Sequence, residues 1–319
     1  MTTAPALPKV MQAAVLDGPG DADAFRIHEF PAPTATRNHV VIALEYAGVG
    51  PWDAALRSGK WGKVKPGTVL GVDGSGIIAA LGSGVENFSA GDRVYSYSYG
   101  NPTGGFYAQF VSVPADRVAR VPPGVKMVTA GAMPCVALTA LAGLEALHLK
   151  KNQTLLVFGA SGGVGSMAVW LAHVQGTTIV GTARPEAHEY IRHLGADHAI
   201  DPASSHLQPV LQRVAPDGFD ACLITSNGKT LPDFIAHLRP KAPFAYPNGV
   251  EPEPKFPAHP HSTFDGGMSR EALDRLNALI GSRSIPLRTE VFSLKDVAEA
   301  HRRIERGHVA GKIVLHIAV

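Results

Sequence analysis

The sequence predicts an α/β protein in which a β-rich region is joined to a doubly wound parallel sheet, and three observations carry that reading. Up to Gly124, short apolar runs such as 40–44 and 76–81 are divided by turn-forming clusters, among them Asp17-Gly18-Pro19-Gly20 and Gly82-Ser83-Gly84. From Lys126 onward, strand-length apolar runs alternate with helix-length segments, the order that builds a parallel sheet from βαβ units. The apolar run 155–158 leads straight into a glycine-rich stretch, 159–165, that opens a helix.

The elements follow in order. Gly91-Asp92 turns the chain into a strand over 93–97, and Pro122-Pro123-Gly124 closes the β-rich region. Residues 130–147 are expected as a helix, 154–158 as a buried strand and 163–175 as a helix. Strand, helix, strand, helix and strand are then expected over 177–182, 186–194, 219–224, 232–238 and 243–246. Six prolines between Pro243 and Pro260 mark a loop. Ser269 caps an amphipathic helix over 270–281, with Leu273, Leu276, Leu279 and Ile280 on one face. A helix near 297–305 and a last strand, 312–317, complete the series without internal repeats.

Composition narrows the function classes. The chain has 319 residues, 45% hydrophobic and 18% charged, enough for a large core without a staple. A net charge of +2 is too small for an electrostatic nucleic-acid footprint. Two cysteines, Cys135 and Cys222, build neither a disulfide framework nor a cysteine-rich zinc site, and both are expected in the core. The first ten residues lack a signal-peptide pattern and no run is apolar and long enough to span a membrane, so a cytoplasmic protein is expected.

The most informative segment is Gly159-Ala160-Ser161-Gly162-Gly163-Val164-Gly165, set between a strand and a helix. Glycine suits a tight turn where a pyrophosphate approaches the backbone, and the helix N-terminus offers N–H groups and partial positive charge to it. The next strand ends Val180-Gly181-Thr182-Ala183-Arg184, without the Asp or Glu that would hold an NAD ribose. Thr182 and Arg184 instead suit a 2′-phosphate, so NADPH is the expected cofactor.

With these residues in view, the sequence resembles the zinc-independent quinone oxidoreductase branch of the medium-chain dehydrogenase/reductase superfamily. The resemblance covers nearly the whole chain through Ala47-Gly48-Val49-Gly50-Pro51-Trp52-Asp53, Leu70-Gly71-Val72-Asp73-Gly74-Ser75-Gly76, Gly91-Asp92-Arg93-Val94, Gly104-Gly105-Phe106-Tyr107-Ala108, Leu138-Thr139-Ala140, the 159–165 loop, His193-Leu194-Gly195-Ala196-Asp197 and Gly311-Lys312-Ile313-Val314-Leu315. It implies a GroES-like catalytic domain over 1–126 and 266–319 and a Rossmann cofactor domain over 127–265. It also implies a homo-oligomer, a dimer or tetramer, and points to strand 243–246 and segment 261–268 for the contact. By resemblance Thr139 lies near the nicotinamide, while Lys312 either reaches the cofactor or forms a salt bridge.

The family's zinc-dependent alcohol dehydrogenases place a Cys and a His where this chain has Gly50 and Val72, and neither residue binds metal. No catalytic metal is expected, which disfavours alcohol oxidation and leaves hydride transfer to an acceptor that is already electrophilic. Relatives carry Asn at the position of Gly50 and Tyr at those of Ala55 and Trp61, so the usual acids are missing. A quinone is the expected acceptor, since water can protonate its reduced form. An enone or enal is the alternative, needing a donor such as Tyr99 or water, and a non-catalytic NADPH-binding sensor is a third reading. Trp52, Trp61, Tyr46, Tyr97 and Tyr99 are candidate pocket walls, with Tyr95 beside them on one strand face. Asp53 is expected as a structural hydrogen-bonding residue.

Overall fold

The structure, a computed structural model, describes residues 6–101 and 103–317. The chain divides into two units, Met1–Cys135 with Met268–Val319, and Val136–Gly267.

In the first unit β1 (Val10–Leu16) pairs antiparallel with β2 (Phe25–Pro31). β3 (His39–Val49) is the longest strand and the middle of the larger sheet. Immediately after it α1 (Pro51–Arg57) begins, with Pro51 at a position where its missing N–H costs nothing and Asp53 reaching back to the Gly50 N–H. This short helix was not anticipated from the sequence, although Pro-Trp-Asp carries its start signal. β4 (Thr68–Val69) joins β1, and β5 (Asp73–Leu81), β6 (Arg93–Tyr97), β7 (Phe110–Pro114) and β8 (Val118–Arg120) build the larger sheet around β3.

β5 runs along one edge of β3 with two register shifts. β7 covers the first half of the other edge, residues 39–43. The second half is completed from the far end of the chain, as described below. Val40, Val41, Ile42 and Leu44 are all fully buried, which explains why this strand is a continuous apolar run rather than an alternating one.

The helix expected over 130–147 is interrupted. α2 (Met127–Ala132) and α3 (Pro134–Leu147) are separate because Pro134 has no N–H to continue the ladder. The Cys135 N–H instead donates to Asp73 Oδ2 at 3.0 Å. α2 packs on β3 and β5 and lies in the first unit, whose first segment runs to Cys135.

The second unit is a six-stranded parallel sheet. β9 (Thr154–Phe158) leads through α4 (Gly163–Val174) to β10 (Thr178–Thr182), and α5 (His188–His193) leads to β11 (His198–Ile200). α6 (Leu207–Val214) then returns the chain to β12 (Ala221–Ile224) on the other side of β9. α7 (Leu231–Ile235), β13 (Phe244–Pro247) and β14 (His261–Phe264) follow. The strand order β11-β10-β9-β12-β13-β14 reverses between β9 and β12, the doubly wound arrangement the sequence predicts. Phe219, Phe234 and Phe244 are fully buried in its core, where truncating any one of them to Ala costs about 3–5 kcal/mol. The Pro-rich loop is tied down by Asn227 Nδ2 donating to the Pro252 carbonyl at 2.7 Å and by the Tyr246 hydroxyl donating to Glu253 at 2.8 Å.

The chain then re-enters the first unit. α8 (Arg270–Ile280) is capped by Ser269, whose Oγ accepts the Ala272 N–H at 3.2 Å. β15 (Thr289–Ser293), α9 (Val297–Glu305) and β16 (Lys312–His316) follow, and β16 pairs antiparallel with residues 46–49 of β3. Among the described residues no helix is long and apolar enough to cross a membrane.

Candidate active site

In the second unit, the glycine loop lies at the carboxyl end of β9, where the strand order reverses. Gly159 has φ +91°, and a Cβ on Gly165 would run into the Gly159 carbonyl, so the first turn of α4 presses directly on the end of β9. The loop is braced from both neighbouring strands. The Gly159 N–H donates to Thr182 Oγ1 and the Ala160 N–H to the Thr182 carbonyl, both at 2.9 Å. From the β12 side, the Thr225 hydroxyl donates to the Phe158 and Gly159 carbonyls at 3.0 Å. Ser166 Oγ donates to the Ser161 carbonyl, fixing Ser161, Gly162, Gly163 and Val164 above the helix start.

Thr182 is 2% exposed and engaged with the loop, whereas Arg184, two residues on, is exposed at the start of the next segment. Thr139 lies on α3 with Gly266 packed against its hydroxyl. These residues suit a dinucleotide: a turn with no room for side chains at Gly159 and Gly165, the N-terminus of a twelve-residue helix, and a cation at the end of β10.

In the first unit, residues far apart in sequence meet at the end of β3. Gly50 has φ −130° and ψ 166°, a conformation open to any residue. Its side-chain space is nevertheless filled: a Cβ there would overlap Cε2, Cζ2 and Cη2 of the Trp52 indole. The Lys312 ammonium, from β16, sits 4.4 Å from the centre of that indole, and Lys312 is only 3% exposed. Asp53 and Asp73 are both fully buried and both feel the Lys312 charge. Asp53 Oδ2 accepts the Gly50 N–H at 2.9 Å, the structural bond expected of it, and the carboxyl also faces the Tyr107 hydroxyl, while Asp73 Oδ1, Trp52 Nε1 and Lys312 Nζ are buried without hydrogen-bond partners.

Two carboxyls facing one ammonium in a dry site cannot both ionise freely. Burial pushes Asp53 up to about 7, against the pull of the Gly50 N–H and Lys312; Asp73 adds to the rise and Tyr107 opposes it. Asp73 is raised by burial too, offset by Lys312 and the Cys135 N–H. The Cys135 thiol and the Tyr107 hydroxyl are pushed up by burial and by these carboxyls, so both stay protonated at neutral pH. Cys222 is buried in the second sheet, in keeping with a core role.

Beside this cluster, Arg57 is buried to 2% exposure, donates to the Gly20 carbonyl and to His301 Nδ1 (3.1 Å), and pairs with Glu305. Because a guanidinium only donates, His301 carries its proton on Nε2. Burial, then the Arg57 charge, lowers His301 to about 3.

A cavity of about 280 Å³ opens in this unit, walled by Asp53, Leu56, Leu70, Val72, Tyr99 and Asn101 among others. Of the expected pocket aromatics, Tyr99 lies in its wall and is well exposed, with Tyr97 behind it at 6.1 Å between ring centres. Trp52 packs over Gly50, Tyr46 rests against His316, and Trp61 is exposed. Tyr95 is a core residue whose hydroxyl donates to Asn277 at 2.8 Å. What the sequence did not reveal is the Asp53–Asp73–Lys312 grouping under Trp52. Its one sequence signal is the presence of an Asp in each of the two motifs that contain Gly50 and Val72.

Among the described residues no group of three His, Cys, Asp or Glu side chains could hold a metal ion. Comparison with known proteins agrees with this architecture. Residues 36–123 match the alcohol dehydrogenase GroES-like domain family and residues 194–315 the zinc-binding dehydrogenase family. A protein of Leishmania amazonensis named as a quinone oxidoreductase is 33% identical over 203 residues, covering 62% of this chain and 58% of that protein. The NADPH-dependent alkenal/one oxidoreductase of Arabidopsis thaliana chloroplasts is 27% identical over 99% of this chain and 82% of its own length. A mycobacterial protein solved in complex with NADPH superposes with a TM-score of 0.81 at 25% identity, over 96% of this chain and 99% of its own.

The fold is that of an oxidoreductase with a GroES-like unit and a Rossmann unit. The chain belongs to the medium-chain dehydrogenase/reductase superfamily, in its quinone oxidoreductase branch.

Proposed function

We propose that this chain is a zinc-independent reductase that delivers hydride from NADPH to a quinone. The observation that carries the reading is the filled metal position. With the Trp52 indole in the side-chain space of residue 50 and Val72 at the second ligand position, no Lewis acid is available to activate an alcohol. An acceptor that is electrophilic by itself needs none. The reading is supported by the name of the Leishmania relative and by the glycine loop.

NADPH, when bound, supplies the hydride at its nicotinamide. The chain's own residues bind and orient. The N–H groups of Gly163 and Val164, at the start of α4, would hold the pyrophosphate, and Arg184 the 2′-phosphate. Thr182 and Thr225 hold the loop in place. Tyr99 offers a flat wall for an aromatic acceptor, and water protonates the reduced quinone. The exposed residues of β14, at the edge of the second sheet, fit a homodimer that continues the sheet from one copy to the next; sedimentation at several concentrations tests it.

A second reading, an enone reductase, is favoured by the Arabidopsis relative, which matches nearly the whole chain. NADPH oxidation followed with an ortho-quinone, a para-quinone and a simple enone in parallel decides between the two. Quinone turnover alone is the expected result, and turnover of none of the three refutes the reductase reading. Arg184→Asp is expected to weaken NADPH binding roughly 10- to 100-fold, the worth of charge-assisted hydrogen bonds, and to leave NADH binding nearly unchanged. An equal loss for both cofactors refutes the 2′-phosphate role.

A further inference from the structure

We propose that Tyr190 is a positioning residue for the cofactor: acting through Ser166, its hydroxyl fixes the glycine loop on the start of α4 and so sets the affinity for the pyrophosphate of NADPH. The inference rests on the NADPH reading above and stays within the second unit. Three observations carry it. Tyr190, on α5, is only 4% exposed, and its hydroxyl donates to Ser166 Oγ at 3.1 Å. Ser166, in α4, is fully buried, and its Oγ donates to the Ser161 carbonyl at 3.1 Å. The Gly162 N–H donates to the Gly159 carbonyl at 3.3 Å.

A carbonyl only accepts and a serine hydroxyl has one proton, so Ser166 spends that proton on the loop and is left an acceptor for Tyr190. The direction of the relay is thereby set, from Tyr190 to Ser166 to Ser161. The planar peptide joining Ser161 to Gly162 is held at both polar ends, its oxygen by Ser166 and its N–H by the Gly159 carbonyl. The next N–H groups, those of Gly163 and Val164, open α4 without an acceptor in their own helix, and that fixed plane aims them. The Tyr190 ring fills space as a phenylalanine would; the hydroxyl is what reaches the loop.

Packing seats α5 on the loop as well. A Cβ on Gly181 would stand 2.9 Å from Ala160 Cβ and 3.0 Å from Ile191 Cδ1, so strand, loop and α5 close on one another there. His188 Nε2, at the start of α5, donates to the Ala183 carbonyl at 3.0 Å and bridges the residues that carry Arg184. Tyr190 thus belongs to the element that follows the proposed 2′-phosphate cation, while its hydroxyl serves the pyrophosphate loop.

The test measures binding rather than turnover. Dissociation constants of NADPH and NADH are taken from nicotinamide fluorescence for the wild type, Tyr190→Phe, Ser166→Ala and the double variant. Adenosine 2′-monophosphate, which has no pyrophosphate, is followed by its displacement of NADPH. Tyr190→Phe is expected to weaken NADPH and NADH by the same factor, about fivefold, the worth of one hydrogen bond, and to leave adenosine 2′-monophosphate unchanged. Ser166→Ala is expected to cost about fivefold or more, and adding Tyr190→Phe to it to change little, because the tyrosine acts through the serine. Melting temperatures without nucleotide are recorded alongside, since a merely structural tyrosine lowers these and leaves the dissociation constants of the folded protein where they were. If one single variant does not fold, the other decides. Unchanged constants for both dinucleotides, a loss confined to NADPH, an equal loss for adenosine 2′-monophosphate, or independent losses in the double variant overturns the role of Tyr190 while the cofactor reading stands. A wild type that binds neither dinucleotide overturns that reading and the inference with it, and one from which adenosine 2′-monophosphate displaces no NADPH overturns the 2′-phosphate part of it.

Discussion

Gly50→Asn, made alone and together with Trp52→Ser, tests whether the indole really occupies the side-chain space of residue 50. The backbone at Gly50 already suits asparagine, since its φ of −130° and ψ of 166° are open to any residue and it caps α1. On that ground alone the change should stabilise by about 1 kcal/mol through the unfolded state. Against this, the new Cβ overlaps three carbons of Trp52. Repacking costs about 2 kcal/mol, and moving the ring off Lys312 loses about 1 kcal/mol more of cation–π attraction. The single variant is therefore expected to be about 2 kcal/mol less stable than the wild type. In the Trp52→Ser background the obstacle is gone and the same change should gain about 1 kcal/mol, a coupling of about 3 kcal/mol. Urea unfolding followed by far-ultraviolet circular dichroism, which does not depend on the removed tryptophan, measures all four corners of the cycle. Effects that add to within about 0.5 kcal/mol would refute the steric argument, and with it the claim that the metal position is filled.

Two further predictions concern the buried charges. Lys312→Met removes the cation between Asp53 and Asp73, so the folded state holds its protons to higher pH; the cost should reach about 3 kcal/mol or more at alkaline pH and shrink as pH falls well below about 7. A loss of equal size across pH in urea titrations would sink it. His301 sits near 3 when folded against 6.5 when unfolded, so the unfolded chain binds more protons between those values. Stability from this group is complete above about pH 6.5 and declines toward pH 3, by at most about 4–5 kcal/mol at ~1.4 kcal/mol per pH unit. His301→Gln, which can still accept from Arg57, should lose that acid slope in thermal melts recorded over the same range, and an unchanged slope would refute the assignment.

The parts of this protein legible in the sequence are those whose determinants are local. The strand Thr154–Phe158, the glycine loop, the Ser269 cap and the helix Val297–Glu305 each carry their signal within a dozen residues, and each is found where expected. The interruption at Pro134 was less visible, because an apolar run on either side of a proline resembles one helix until the Asp73 carboxyl is seen taking the Cys135 N–H. α6 went unrecognised because its amphipathic pattern is short and is interrupted by Pro209. The charged cluster was legible only in pieces. Asp53, Asp73 and Lys312 come from a helix start, a strand start and the last strand, and no spacing rule connects them. Their chemistry follows from shared burial, which is a property of the fold rather than of any segment.

The pairing of β16 with β3 has a consequence for how the protein is made. Val49 finds its partner in Ile313, so this stretch of β3 waits until more than 260 further residues have left the ribosome. At about 5–20 residues per second that delay is on the order of tens of seconds. During it, the second unit, all of whose strand pairs lie within residues 154–264, can complete itself. The nascent first unit meanwhile presents an apolar, half-bare strand edge, a template for mispairing that is closed last. Carboxyls that end beside Lys312 likewise spend that interval in water, and give up their ionisation only when the final strand arrives.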